Sequence, residues 1–334
     1  MIARTRPNVG TLLVASGLIA ALVVGGGCTT VTPAATASRA GASPSAGPGP
    51  SSDPTTDKLA QVRARGTLVL WTDPDYAPQS FAVKGAARPA ATTCAPNQLT
   101  SPEISGYDAE TGKLVAAALG VEACFVATPF DAMIAGSWGD RFDVAWGSGA
   151  ITLDRMKRLY ATQPYYATPA SFFVKSGATF TTPADLSGRK IGVCSGCTHH
   201  QYLQRTLELP GQKIAFVVDN PDIVTFNTEV PGLDATAAGE VDAFLCSEPV
   251  GLAAIAKGAD LREIEAAAYY TYKTGYVDRD LTLAAGPFLA ALNAALADLH
   301  ATGRLKALSM EFFKRDYATP AATFDLAGLG QQAP

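Results

Sequence analysis

The stretch DVAWGSGAITLDRMKRLYATQPYY, residues 143–166, decides how the rest of the chain reads. Residues 142–146 are a short apolar run ending in Trp146, which predicts a buried strand. Gly147, Ser148 and Gly149 then break the run, so that backbone can come close to a ligand. Thr152 follows as the N-cap of a helix over 153–160. Arg155 sits in the first turn, where the helix dipole favours Asp or Glu. Free N–H groups, the Thr152 hydroxyl and the Arg155 fork would converge just past a strand, a donor set that suits a carboxylate. An ordinary strand–turn–helix with a surface arginine explains the same local signals, so the rest of the chain has to decide.

With 334 residues, 48% hydrophobic and 17% charged, the chain can bury a sizeable core and reads as about two domains. A net charge of −4 argues against a nucleic-acid surface. His199, His200 and His300 are too few and too badly placed for a zinc cluster, and no metal or cofactor is expected. Residues 1–28 read as a targeting segment: Arg4 and Arg6, then an apolar run over 11–24 too short to span a bilayer, then Gly25, Gly26 and Gly27 before Cys28. This resembles a bacterial lipoprotein signal in which Cys28 is lipidated, although Gly25 stands where Leu is usual. A plain secretory signal is the alternative. Residues 29–57, rich in Thr, Ala, Ser, Gly and Pro, read as a flexible tether.

The folded body alternates strand and helix signals. A helix over 58–65 stops at Gly66, and a strand follows over 67–71. Asp73-Pro-Asp75-Tyr76-Ala-Pro78 turns at that strand's C-terminal end, where ligands sit in open α/β sheets. Asp73 and Tyr76 are therefore site candidates, and a turn-capping role explains Asp73 equally well. Residues 84–105 read as a long surface loop carrying Cys94. A helix over 106–120, a strand over 121–128 and a short helix from Phe130 come next. Phe130 could stack on a ligand or simply fill the core. Beyond Tyr166, strands are expected over 171–175, 190–194, 214–218 and 241–246. Helices are expected over 199–207 (N-cap Thr198), 232–239, 249–257, 286–302 and 305–313. Strands alternating with helices imply a mostly parallel sheet. Two such sets imply two lobes with a cleft between them.

In this order and spacing, RGTLVLWTDPDYAP, GYDAETGKLVAAALGV, PFDAMIAG, AITLDRMKRLYATQPYY, PADLSGRKIGV, GEVDAFLCSEPVGL and LNAALADLHATGRLKALSMEFF resemble the amino-acid family of bacterial extracytoplasmic solute-binding proteins, the receptors of ABC importers. The resemblance implies an α/β two-lobe periplasmic-binding-protein fold of type II, with two hinge strands that let the lobes close on a ligand. Lobe 1 would span 58–168 and return over 276–320, lobe 2 would span 169–275, and 321–334 would be a tail. It also implies that Asp73 and Tyr76 meet the ligand side chain, that Phe130 stacks on it, and that Ser148, Ala150 and Thr152 lie on a donor stretch. Arg155 would take the α-carboxylate, and Thr198 would complete the contacts from lobe 2. Ala150 departs from a frequent Ser. Ser247 stands where the family usually has the Asp that holds the α-ammonium. A buried ammonium needs a carboxylate, so either Glu248, Asp73 or Asp75 supplies it, or the ligand is not an ordinary α-amino acid.

Removing Cys28 leaves five cysteines, an odd number. Export permits disulfides; Cys94–Cys124 and Cys194–Cys197 are the expected pairs, with Cys246 a buried thiol and Cys194–Cys246 the rival. The expected partners are an amino acid or similar small carboxylate, a permease with its ATPase, and the membrane through Cys28, the protein itself being a monomer. A dehydratase-like enzyme would need an acid–base pair from His199, His200 and Glu248, and both histidines read as exposed. A sensor for a membrane kinase would have the same sequence features.

Overall fold

The computed structural model describes residues 53–264 and 267–330. The expected signal segment, with Cys28, lies outside them, as does the tether up to Ser52. Among the described residues eleven strands form one sheet. At one end Thr67–Thr72 lies between Glu122–Ala127 and Val144–Ala150, parallel to both. At the other, Lys190–Cys194 lies between Asp222–Phe226 and Ala243–Ser247, again parallel to both. Two ten-residue strands, Tyr166–Lys175 and Tyr269–Asp278, run antiparallel to each other between these ends. The first pairs antiparallel with Ala243–Ser247 and the second with Val144–Ala150. Two parallel α/β halves are thus joined by a pair of crossing strands.

Burial on both faces explains why the parallel strands read as unbroken apolar runs. Leu68 and Leu70 enter one core, with Tyr107, Val115, Phe288 and Leu292, while Val69 and Trp71 enter another, with Met133 and Trp138. In the second half Ile191, Val193, Ala243 and Leu245 share a core with Tyr202, and Phe244 and Cys246 point to the opposite face. Asp143, at the head of the deciding stretch, is buried between Lys58 (2.8 Å), Arg65 and the Val69 amide (2.8 Å). It fastens the first helix, Lys58–Arg65, to the sheet.

Three expectations about elements need correction. Gly147–Gly149 does not end its strand, which runs on to Ala150. Its parallel pairing stops at Ala145, but Gly149 and Ala150 find a new antiparallel partner in Thr274 and Lys273. The glycines matter for proximity: a Cβ on Gly147 would stand 2.4 Å from the Trp71 ring, and one on Gly149 2.8 Å from Tyr276. The helix expected over 153–160 is the single turn Leu153–Met156, because Leu159–Ala161 pairs with Tyr276–Asp278 instead. Residues 214–218 form no strand; Ile214 and Phe216 pack on the second core as a loop, and the edge strand is Asp222–Phe226.

The disulfides are Cys94–Cys124 and Cys194–Cys197, and Cys246 is a free, buried thiol. The rival Cys194–Cys246 pair is not formed. Cys94–Cys124 ties the long loop over 84–105 to the strand Glu122–Ala127 and closes a separation of 30 residues. Replacing both by Ser is expected to lower the unfolding free energy by about 2–4 kcal/mol. Denaturant titration of the variant checks this, and an unchanged midpoint would show that the loop is held by its other contacts.

Candidate functional site

The C-terminal ends of the parallel strands in the two halves face each other across a cavity with about 540 Å³ of empty space. Of the residues singled out in the sequence, Asp73, Tyr76, Phe130, Ser148, Ala150, Arg155 and Thr198 line it. Thr152 and Ser247 do not. The Thr152 hydroxyl is occupied as the N-cap of its helix, accepting from the Arg155 amide at 3.1 Å. Ser247 is 1% exposed and sits behind the wall, with its Oγ 3.5 Å from the Tyr76 hydroxyl. Thr198 is not an N-cap; Cys197 holds that position and Thr198 is the first helical residue.

Arg155 is 2% exposed. Its Nη1 donates to the Ala150 carbonyl (3.0 Å) and its Nη2 reaches the Gly196 carbonyl of the other half (3.5 Å). The guanidinium lies 5.2 Å from the Phe130 ring centre, and Nε has no partner. Burial pushes its pKa down from the ordinary value. It makes no ion pair among the described residues, so a buried cation faces the cavity with neutral groups against it, two carbonyls, the Phe130 ring and the Tyr276 side chain. Such a group favours an anion arriving from outside.

The facing carboxylate is Glu229, a residue the sequence reading missed. It opens the helix Glu229–Ala238 just past the strand Asp222–Phe226. Its Oε2 accepts from the Tyr76 hydroxyl of the first half (2.9 Å), and Oε1 accepts from His199 Nε2 (3.0 Å) and the Ser247 amide (3.3 Å). His199, expected to be exposed, is 2% exposed. Its Nδ1 lies 2.6 Å from the Tyr269 hydroxyl, and burial lowers its pKa. A neutral ring protonated on Nε2 satisfies both contacts. Of the carboxylates proposed from sequence to replace an Asp at 247, Glu248 is bound to Arg315 (2.7 Å) and Tyr317 and does not line the cavity. Asp75 is exposed and Asp73 lines the cavity. Two groups of Cys, His and Glu side chains lie close enough to hold a metal, but their cysteine sulfurs are locked in the disulfides.

Residues 68–315 match the bacterial extracellular solute-binding proteins, family 3. The chain belongs to this family. It is 26% identical over 260 residues to the L-cystine-binding protein of Escherichia coli K12, covering 77% of this chain and 86% of that one. It is 30% identical over 229 residues to the L-arginine-binding protein of Pseudomonas aeruginosa, covering 66% and 85%. In fold it is similar to ArgBP from T. maritima (22% identity, TM-score 0.62, 77% and 99% covered). It also resembles the ancestral amino acid-binding protein AncCDT-1, a precursor of cyclohexadienyl dehydratase (24%, TM-score 0.61, 77% and 99%). The receptor therefore has the type II periplasmic-binding-protein fold and serves an ABC importer as its solute-capturing subunit.

In this receptor the two halves touch across the cavity. Tyr76 to Glu229, Arg155 to Gly196 and the Leu153 amide to the Glu208 carbonyl (3.3 Å) all bridge it. Gly196, with φ +65°, is where the closing loop meets Asp131; a Cβ there would lie 2.2 Å from a carboxylate oxygen. Ser148 also adopts a positive φ of 60°. That turns its hydroxyl onto the buried carboxylate of Asp108, with the Tyr166 hydroxyl 2.6 Å away, while Tyr165 donates to Asp108 at 2.9 Å. Burial raises the Asp108 pKa to about 7.

The second cation of the cavity, also missed in the sequence, is Lys273 on the strand Tyr269–Asp278. It is 4% exposed. Burial lowers its pKa from 10.5 to about 8, against the attraction of Glu229. A folded-state pKa below the unfolded one means that the charged form destabilises the fold: the cost is complete below pH 8 and vanishes as pH rises toward 10.5. At 1.36 kcal/mol per unit the cost is on the order of 3 kcal/mol. Lys273→Met is expected to stabilise the ligand-free receptor by about that much at pH 7, the gain fading above pH 8. Thermal unfolding across pH 6–10 checks it, and a destabilised variant at pH 7 would contradict it.

Proposed function

We propose that the receptor captures an α-amino acid as a zwitterion, with its α-carboxylate on Arg155 and its α-ammonium on Glu229. The observation that carries this reading is the buried Arg155 guanidinium, without an ion-pair partner among the described residues, on one side of the cavity with the buried Glu229 carboxylate on the other. A zwitterion supplies the missing charge to both halves at once, which favours the closed form. Glu229 takes the place of the Asp usual at position 247, reaching the same cavity from the turn after the edge strand Asp222–Phe226, two strands away. Thr198 and Ala150 border the carboxylate, and Phe130, Trp71 and Tyr76 enclose the rest of the ligand. The cystine- and arginine-binding relatives support the amino-acid class. Delivery runs to a membrane permease driven by its ATPase subunit. We assign the receptor to the outer face of the membrane, held by lipid on Cys28.

Calorimetry with the ligand identified by mass spectrometry tests the pocket. Arg155→Ala and Glu229→Gln each leave a buried charge unpaired in the complex, which costs about 2–5 kcal/mol, roughly 30-fold to several thousandfold in affinity. Ser247→Asp adds a second anion beside Glu229 and should weaken binding. Unchanged affinity in Glu229→Gln would remove Glu229 from the ammonium role. For the anchor, Cys28→Ala should move the protein from the membrane fraction into the medium; retention on membranes would refute lipidation at that residue.

A further inference from the structure

A simple zwitterion engages only two of the four charged side chains that line the cavity, Arg155, Lys273, Glu229 and Asp73. An α-carboxylate on Arg155 and an α-ammonium on Glu229 leave Lys273 and Asp73. The Lys273 ammonium makes no hydrogen bond or ion pair among the described residues, and the residue is 4% exposed. The nearby anions are already engaged. Glu229 accepts from Tyr76, His199 and the Ser247 amide. Asp108 accepts from Ser148 and Tyr165 behind the cavity wall. Asp73 caps its own turn by accepting from the Asp75 amide (3.0 Å). Lys273 thus borders the cavity as a second cation, one whose ammonium has no acceptor among the described residues. Its three N–H donors are free to meet an anionic group of a bound ligand.

We propose that Lys273 is a specificity residue that selects α-amino acids carrying a second carboxylate at the end of the side chain. This rests on the placement of the α-carboxylate and α-ammonium described above. Backbone geometry fixes the lysine in place. Lys273 pairs with Ala150 on one side and Tyr166 on the other, midway along the strand Tyr269–Asp278. Its backbone is therefore held by strands of both halves. A cationic side chain, such as that of arginine, would meet a like charge at Lys273. A neutral amide could accept one hydrogen bond from Lys273 without neutralising it. A carboxylate does both.

The test is isothermal calorimetry on ligand-stripped receptor with three acid–amide or acid–neutral pairs: L-aspartate with L-asparagine, L-glutamate with L-glutamine, and L-2-aminoadipate with L-norleucine. L-Cystine, which also carries a distal carboxylate, and L-arginine complete the panel. At least one distal carboxylate ligand is expected to bind about 10- to 100-fold more tightly than its uncharged counterpart or, for cystine, than arginine. Lys273→Met should collapse that ratio to about one, and Lys273→Arg should retain part of it. Tighter binding of the uncharged partners or of arginine by the wild type, or an undiminished ratio in Lys273→Met, overturns the proposal. A wild type that binds none of the panel overturns it as well. Failure of the underlying zwitterion reading has a separate signature: acid and amide would then bind equally well to Glu229→Gln and to the wild type.

Discussion

A guanidinium sealed from water is expensive unless something meets it, and among the described residues Arg155 is met only by neutral groups. Much of the surrounding architecture serves to hold it there. Thr152 caps the one-turn helix that carries it, the Ala150 carbonyl at the end of the long strand accepts from Nη1, and Phe130 covers its face. The Tyr276 hydroxyl also donates to the Ala150 carbonyl, at 2.5 Å, which ties the arginine's acceptor to the crossing strands. Because the Gly196 carbonyl of the opposite half also reaches Nη2, the burial of this charge is complete only when the two halves have come together. The electrostatics of the site and the closure of the fold are therefore one problem.

The crossing strands join the two halves. Tyr166–Lys175 and Tyr269–Asp278 are each continuous hydrogen-bonded strands that belong to both halves of the sheet. Lys273, midway along its strand, pairs with Tyr166 at the start of the other, and Tyr165 directly precedes it. Lys273 lines the cavity, while the two tyrosines are fully buried near the Asp108 carboxylate. Two ionisable groups with pKa values near 7 and 8, Asp108 and Lys273, consequently sit close to where the two crossing strands meet. The rest of the cavity is supplied by strand ends, so its geometry follows from the packing of two ordinary α/β cores.

Much of this was legible in the sequence because it depends on local signals. Alternating strands and helices, stop glycines at 66, 120 and 303, and the apolar periodicity of the helix Gly286–Ala301 are one-dimensional features that survive folding. Arg155, Asp73, Tyr76, Phe130 and Thr198 were found because they follow strand ends that were themselves readable. Glu229 was missed for the converse reason. Ile214, Phe216 and Val218 mimic a strand, yet Phe216 packs on Tyr202 (5.4 Å) as a loop. The true strand, Asp222–Phe226, is only half buried at the sheet edge. Reading 222–226 as the strand would have put Glu229 at a C-terminal strand end, the place where ligand groups are sought. Lys273 carries no comparable signal. A lysine within YYTYKTGYV reads as the solvent side of a strand, and only the crossing of two strands from distant parts of the chain buries it. His199 is a similar case, since its burial depends on Tyr269 and Glu229, 70 and 30 residues away in the sequence.

The central claim is that Glu229, rather than a residue at position 247, answers the charge of Arg155 across the cavity. The most direct measurement is the crystal structure of the receptor with the ligand that mass spectrometry identifies in it. The account requires a ligand carboxylate within hydrogen-bond distance of the Arg155 guanidinium and a ligand ammonium within hydrogen-bond distance of the Glu229 carboxylate. A ligand whose ammonium lies on Asp73, with Glu229 still held only by Tyr76, His199 and the Ser247 amide, would contradict it.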